Sequence, residues 1–329
     1  MISFELDVED LADTRFAISP IHETVLSLRV LREPGLSALH LPWRRSVLGR
    51  LDALDADLLM SLVGPDRALP DFLTPRPTRF AATFEEELTT VRRTPADVVR
   101  RDVLAAYARG RLPDVLRAVA ADDDAPVLAL RDAICDHLQR YWDAAIGPSW
   151  PQLRLVLEAD MTYRARQLAV GGARLLFADM HPNLRWHEGV LHIDKMIGRH
   201  RVAAAGRGLL LVPSVFSHKP APPVSAEEPP WLAYPCRGVA TLWAPPPSVD
   251  STALTSLLGA PRTRLLGLLD EPLPTVEIAR RLTVTPSAVS QHLRVLHATG
   301  LITRARDGRH VLYRRSPLGD QLVGPSSTG

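Results

Sequence analysis

A chain of 329 residues is long enough for two domains and a substantial hydrophobic core. Its composition, 46% hydrophobic and 23% charged, is typical of a globular protein, and no apolar run is long enough to span a bilayer. The N-terminal residues lack the basic start and the apolar stretch of a secretory signal, so we expect a cytoplasmic protein without a membrane partner. In a reducing compartment, Cys135 and Cys236 are expected to be buried thiols rather than a disulfide or a redox pair.

The formal net charge of +2 is unevenly distributed along the chain. Residues 251–329 contain ten arginines and five acidic side chains, a net charge of +5, which leaves −3 for the preceding residues. This asymmetry predicts that a polyanion-binding surface lies in the C-terminal part.

Residues 1–170 show mainly helical patterns after a short strand at 1–6. Ser19 and Pro20 are expected to open a helix that ends before Pro34, and 43–63 has the pattern of a longer amphipathic helix. The proline-rich stretch 66–79 is expected to be a loop. The following segments continue the helical pattern: 84–93, 94–109, 113–121, 126–146 and 149–170.

The pattern changes after Gly171 and Gly172, where a short helix over 173–179 is followed by strand-like runs. The predicted strands are 184–187, 190–194, 208–216, 231–234 and 239–243. The proline-rich stretch 217–230 is expected to be a surface loop, and the prolines of 244–248 indicate a stiff connector.

We therefore predict a mostly helical α+β protein of two domains. The N-terminal domain, 1–244, is large and helical with a small strand-rich part. A proline-rich linker over 245–250 leads to a winged helix-turn-helix domain over 251–322, and a disordered tail follows at 323–329.

Residues 275–301 have the pattern of two helices joined by a tight turn. Thr275 is expected to N-cap the first helix, over 275–282, and Thr283 begins the turn. Thr285 is expected to N-cap the second helix, with Pro286 at its first position, where the missing N–H costs nothing. Six apolar residues at one-turn spacing are expected to face inward: Ile278, Ala279, Leu282, Val289, Leu293 and Leu296.

The outward face of the second helix carries small or polar side chains, which suit a recognition helix in a DNA major groove. The predicted DNA-binding residues of this helix are Thr285, Ser287, Ala288, Ser290, Gln291 and Arg294. A bidentate contact to adenine would suit Gln291, and Arg294 would reach guanine or a phosphate. Whether each of these side chains meets a base or the backbone stays open, and His292 is expected to be a packing residue.

A hairpin is predicted after Gly300, which ends the second helix. Two strand-like runs, 301–306 and 310–314, flank an Asp-Gly pair, a good hairpin signal. A helix-turn-helix followed by a basic hairpin is a winged helix. Its four wing arginines would place positive charge against phosphates or in the minor groove: Arg304, Arg306, Arg309 and Arg314.

These residues resemble the ArsR-type winged-helix transcriptional regulators over about 251–322. The resemblance is carried in order by the segments 259–269, 276–279, 287–302 and 306–313. It implies a dimeric regulator of double-stranded DNA that reads a pseudo-palindromic operator, usually a repressor released by a ligand. Metal-sensing members carry Cys-x-Cys on the first helix of the motif, which has no cysteine here. The preceding segment resembles the N-terminal domain of unknown function in larger actinobacterial members.

The N-terminal domain offers two weaker patterns. His181, His187, His192 and Asp194 fit no familiar metal-binding spacing, so no metal or other cofactor is predicted. Six of the eighteen aromatic residues lie in the strand-rich stretch and would line either a small-molecule cavity or, more simply, an ordinary core. They are Phe177, Trp186, Phe216, Trp231, Tyr234 and Trp243.

Three functions are compatible with these patterns. The favoured one is a transcription factor whose N-terminal domain helps it to dimerise or senses a non-metal effector. An enzyme fused to a DNA-binding module is an alternative. The sequence has no nucleophile elbow, phosphate loop, Cys-x-x-Cys or His-Glu-x-x-His, so we expect no enzymatic activity. A histidine-based metal sensor is the third.

Overall fold

The computed structural model describes residues 1–51, 56–196, 198–223, 227–243, 251–307 and 310–323. The chain divides into two compact units, Met1–Ala244 and Pro245–Gly329. The predicted linker over 245–250, most of the predicted tail and Arg309 lie outside the described residues. Both units combine helices with small sheets, which confirms the predicted α+β class.

The N-terminal unit is built mainly of helices. Their bounds are α1 Val8–Ala12, α2 Pro20–Arg32, α3 Leu41–Leu51, α4 Ala56–Ser61, α5 Phe84–Arg92, α6 Ala96–Ala106, α7 Asp124–Tyr141 and α8 Trp150–Ala178. Ser19 caps α2 as predicted, because its hydroxyl oxygen accepts from the backbone N–H of His22. Nearly every residue of α2 is buried, so this helix runs through the centre of the helical core.

Two small sheets complete this unit. The first contains β1 Ile2–Glu5, β3 Leu184–His187, β4 Val190–Ile193 and β5 His200–Ala203 in the order β3-β4-β1-β5. The second contains β2 Arg15–Phe16, β6 Leu210–Ser214 and β7 Trp231–Pro235, all parallel, in the order β2-β6-β7. Every residue of β6 is buried, as its continuous apolar run predicts.

Several predicted elements of this unit differ from the observed ones. The predicted strand over 239–243 is wrong, because Val239–Thr241 forms a 3-10 turn. The stretch 113–121 also winds as a 3-10 helix, over Asp114–Ala120. The helix predicted over 43–63 appears as α3 and α4, and 52–55 lie outside the described residues.

The segment 217–230 is only partly on the surface. Ala221 exchanges two backbone hydrogen bonds with Ala233 of β7, and Pro220 is buried. The break predicted at Gly171 and Gly172 is present: both have non-helical backbone within α8, where Gly172 has a positive φ of 62°, and helical residues lie on either side, as predicted over 149–170 and 173–179.

Both cysteines are buried free thiols, as predicted. Burial raises the pKa of Cys135 to about 11 and also raises the pKa of Cys236. Within the described parts of the chain, we find no helix whose length and apolar character would let it cross a bilayer.

The C-terminal unit contains α9 Ser251–Leu258, α10 Ala260–Leu268, β8 Leu273–Pro274, α11 Thr275–Leu282, α12 Pro286–Ala298, β9 Ile302–Asp307, β10 His310–Arg315 and α13 Pro317–Val323. The three strands form a sheet in the order β8-β10-β9. Its core joins apolar residues of α10, α11 and α12, including Leu265, Ile278, Val289 and Leu293. This arrangement is a winged helix-turn-helix, with β8 and α13 as elements that the sequence reading did not predict.

Candidate nucleic-acid interface

The first helix of the motif, α11, begins at the predicted residue but is capped differently. Thr275 is its first helical residue, Pro274 occupies the N-cap position, and no side chain caps this end. The prediction that Thr275 is the N-cap is therefore wrong. The physical reason is that Leu273 and Pro274 pair with β10, so the strand leads directly into the helix.

Glu277 lies in the first turn of α11, where a carboxylate favours the positive helix end. It accepts hydrogen bonds from Arg280 at 2.7 and 2.8 Å and from Arg281 at 2.8 Å. These bonds lower the pKa of Glu277 to about 2. The two arginines are thus occupied within their own helix.

A tight turn positions the second helix. Thr283 adopts left-handed backbone geometry with φ of 56°, and α12 begins three residues later, at Pro286. Thr285 then caps α12 as predicted, because its Oγ1 accepts from the backbone N–H of Ala288 at 3.3 Å. Pro286 is the first helical residue, also as predicted.

Helix α12 separates a buried face from an exposed one. Val289, Leu293 and Leu296 are buried at 2% exposure or less. The predicted DNA-binding residues of this helix are exposed, apart from Ala288, which is half-buried: Thr285, Ser287, Ser290, Gln291 and Arg294. His292 is half-buried, as expected for a packing residue. The helix therefore presents a continuous polar face to the solvent.

One of these side chains has a hydrogen bond within its helix. The hydroxyl of Ser290 donates to the backbone carbonyl of Pro286 at 2.8 Å. Its proton is thereby used, and only the oxygen lone pairs remain available to a ligand. This geometry makes Ser290 an acceptor.

The hairpin after Gly300 is present, and its register divides the wing arginines between two faces. Arg304 lies opposite Tyr313 and Arg306 opposite Val311, whereas Arg314 lies opposite Thr303. Because directly opposite residues share a face and successive residues alternate, Arg304 and Arg306 point to one face and Arg314 to the other. All three are exposed, and Arg309 lies outside the described residues.

A fifth arginine of this region is structural. Arg315 is buried, and its guanidinium donates to the carbonyls of Leu266 and Gly267 at 3.2 Å and to the carboxylate of Asp320 at 2.7 Å. These hydrogen bonds connect β10 to α10 and α13. The Arg314-Arg315 doublet gave no sequence signal for this role, since the two carbonyl partners lie 48 and 49 residues earlier in the chain.

The family model for bacterial regulatory proteins of the arsR family matches residues 265–304, which contain both helices of the motif and the start of the wing. A crystal structure described as a possible transcriptional regulator for arsenical resistance is 34% identical to this chain. The match covers 22% of this chain and 76% of that one, with a TM-score of 0.19. The chain belongs to the arsR family. No match was found among the curated proteins.

This membership rests on the family model and on sequence identity, and it concerns the C-terminal unit. It makes the protein a DNA-binding transcriptional regulator with double-stranded DNA as its partner. The residues matched by the family model all lie in the C-terminal unit.

The histidines considered for a metal site are not gathered into one. His192 lies opposite Arg185 and His187 opposite Val190 in the β3–β4 pair, and Asp194 accepts from Arg185 at 2.9 Å. Across the described residues, no group of three or more histidine, cysteine, aspartate or glutamate side chains is placed to hold a metal ion.

The six aromatic residues of the strand-rich stretch are distributed among separate packing clusters rather than one cavity. Phe177 contacts Trp186, with ring centroids 5.6 Å apart, and Phe216 contacts Trp243 at 6.3 Å. Trp231 packs its ring against His22 of α2, at 5.3 Å between centroids. Only Trp231 of the six lines one of the two cavities described in this unit.

Proposed function

We propose that the protein is a homodimeric repressor that acts in the cytoplasm and reads a pseudo-palindromic operator through α12 and the wing. The observation that carries this proposal is the division of α12 into an apolar buried face and an exposed polar one that includes Ser287, Gln291 and Arg294. Such a face suits base edges in the major groove. Two symmetric copies would match a two-fold operator.

Within this proposal the side chains have different tasks. Gln291 forms a bidentate contact with adenine, and Arg294 contacts guanine or a phosphate. Four small side chains of this region allow α12 to approach the DNA closely: Thr285, Ser287, Ala288 and Ser290. The wing arginines, including Arg309, contact phosphates and give affinity rather than sequence preference.

The N-terminal unit, 1–244, is assigned dimerisation or the sensing of a non-metal effector, without enzymatic activity. The division of the chain into two compact units supports separate tasks for them. The absence of cysteine from α11 supports an effector other than a thiolate-bound metal.

The test is fluorescence anisotropy of the full chain with the DNA upstream of its own gene, at several salt concentrations. We expect saturable binding, and a linear fall of log affinity with log salt, because phosphate contacts release counterions. An unrelated duplex of equal length and composition is the control. Equal affinity for both duplexes, or binding that does not respond to salt, would overturn operator reading.

A further inference from the structure

The N-terminal unit contains a cavity of about 730 Å³ lined by residues of α2, α6, β5 and β7. Much of its wall is apolar, including Leu26, Leu69, Phe72, Val98 and Trp231. Its size lies within the range of pockets that enclose small organic ligands, roughly 300–1,000 Å³. Volume alone does not identify a ligand, but two polar side chains in the wall do restrict its chemistry.

The first of the two polar side chains in the cavity wall is His22, which is only 1% exposed. Its Nδ1 atom lies 2.6 Å from the hydroxyl oxygen of Ser19, and that hydroxyl donates to the Glu87 carboxylate at 2.8 Å. When the Glu87 carboxylate is ionised, it takes the Ser19 proton, and Nδ1 of His22 is then the donor in its contact with Ser19. The neutral ring then carries a free lone pair on Nε2.

That lone pair has no partner among the described residues, although the atom is buried. Burial lowers the pKa of His22 to about 3, so the ring remains neutral at physiological pH. A buried acceptor without a donor is unfavourable, and buried polar atoms in native proteins normally have a partner. His22 lines the cavity, and a donor located there would satisfy Nε2.

The second polar side chain in the cavity wall is Arg76, whose buried Nε also has no hydrogen-bond partner among the described residues. Burial lowers the pKa of Arg76, and the nearby Arg15 and Arg207 lower it further, while Glu228 opposes them. The guanidinium nevertheless remains charged, as arginine does in proteins. An anion beside it would therefore be favoured.

Several other polar groups of the wall are already engaged. Arg101 donates to Asp102 at 2.9 Å, and Asp102 also accepts from the backbone N–H of Phe72 at 2.8 Å. The indole N–H of Trp231 donates to Glu228 at 3.0 Å. Nε2 of His22 and Nε of Arg76 are thus an acceptor and a donor without partners in the wall of one cavity. Nε2 of His200, on β5, is a third nitrogen of this wall without a partner among the described residues.

We infer that this cavity binds a small aromatic or similarly flat organic acid, with a hydroxyl or N–H that donates to Nε2 of His22 and a carboxylate that accepts from Arg76. Its apolar body packs against Trp231 and Phe72. The binding site stands on the geometry of the N-terminal unit alone. Its role as the effector site of the regulator rests on the proposed function.

The test uses 6-hydroxy-2-naphthoate, which carries a hydroxyl and a carboxylate on opposite ends of a flat apolar body, in calorimetric titration of the full chain without DNA. We expect one site per chain. Removal of the hydroxyl, in 2-naphthoate, should weaken binding by about tenfold, as expected for one lost hydrogen bond. Arg76→Gln should weaken it by at least as much, because a charged partner is lost. Arg166→Gln, at an exposed position away from the cavity, is the matched control and should bind as the native chain does.

A change at His22 risks the fold, because this residue is buried beside the cap of α2. Ala105→Trp avoids that risk, since Ala105 lines the cavity from an exposed position on α6 and the larger side chain would fill the space. We expect this variant to keep the native melting temperature and to lose binding. No saturable binding by the native chain, as for a cavity filled only by water, would overturn the inference. Undiminished binding by Ala105→Trp or Arg76→Gln would also do so.

The regulatory role is tested separately by adding the same probe to the complex of the chain with operator DNA. A shift in DNA affinity of fivefold or more in the native chain, absent in Arg76→Gln, would support it, since allosteric coupling is typically of this size or larger. Unchanged DNA affinity at saturating probe would overturn the regulatory role but not the binding site. Absence of operator binding would overturn the proposed function, and the calorimetric result would still decide the cavity.

Discussion

Oγ1 of Thr285 accepts the backbone N–H of Ala288 at 3.3 Å, and this contact fixes the start of α12. Ten residues earlier, Thr275 begins α11 without any such contact, because Pro274 occupies the N-cap position there. The same residue type therefore has two different roles in one motif. Only the second threonine satisfies an N–H group that the helix would otherwise leave without a partner.

Thr285→Ala should lower the free energy of unfolding of the C-terminal unit by about 1 kcal/mol, the usual cost of losing a threonine cap. Thr275→Ala is the matched control and should change it by less than about 0.5 kcal/mol, since no cap is lost. Urea unfolding of the full chain followed by circular dichroism measures both. Equal losses in the two variants would mean that the cap does not stabilise α12.

Gln291→Ala should relax sequence preference without abolishing DNA binding. Gln291 is exposed on α12, and a bidentate contact from glutamine to adenine discriminates by about 1–3 kcal/mol. We expect the affinity ratio between the operator and a single-base variant to fall by roughly tenfold at one position of each half-site. Competition anisotropy with a panel of single-base operator variants measures this ratio. An unchanged preference at every position would exclude Gln291 as a base-reading residue.

Arg304→Ala should weaken binding to all sequences and reduce the salt dependence. Arg304 is exposed on β9, where a phosphate contact would release about one counterion. The slope of log affinity against log salt should therefore become less negative by about 1 unit. The slope is obtained by anisotropy titrations between low and moderate salt.

Arg166→Ala, at an exposed position of the N-terminal unit, should leave this slope unchanged. Arg314→Ala tests the other face of the same hairpin. Arg314 pairs with Thr303, so its side chain points away from the face that carries Arg304. A loss of affinity in Arg304→Ala without any change of slope would contradict a phosphate contact at this position.

The helix-turn-helix could be predicted because its signals are local. The cap at Thr285, Pro286 at the first position of α12 and the apolar spacing of Val289 and Leu293 all lie within a few residues of one another. Those signals depend on nearest neighbours along the helix, so no distant contact was needed to read them. The hairpin after Gly300 followed from the same kind of local pattern.

Prediction from the sequence failed where contacts between distant segments determine the structure. Pro274 displaces Thr275 from the N-cap because Leu273 and Pro274 pair with β10, about 40 residues later in the chain. Arg315 is buried because carbonyls of α10 accept its protons. The unpartnered Nε2 of His22 depends on Ser19 and on Glu87, which is 68 residues from Ser19. Neither periodicity nor composition contains such information.

Glu23 follows His22 on α2 and is also buried. A carboxylate that accepts hydrogen bonds ordinarily has a lowered pKa, whereas the pKa of Glu23 is raised. Burial raises the pKa of Glu23 to about 7 from 4.5, against hydrogen bonds from Ser214 and from the backbone of Val215 and Phe216. Its two carboxyl oxygens lie 3.0 and 3.2 Å from the Val215 nitrogen. The folded protein thus holds a proton that the unfolded chain has already released at intermediate pH.

The free energy of unfolding should therefore fall as pH rises from 5 to 7, by about 2 kcal/mol from this group alone. Glu23→Gln should remove that fall, because the amide keeps the size and an acceptor oxygen but does not titrate. Other groups, including His22, contribute equally to both proteins, so the difference between the two curves isolates Glu23. Urea unfolding at pH 5, 6 and 7 measures it, with Glu85→Gln, at an exposed position on α5, as the control. Parallel curves for the native chain and Glu23→Gln would show that Glu23 is ionised in the folded protein throughout this range.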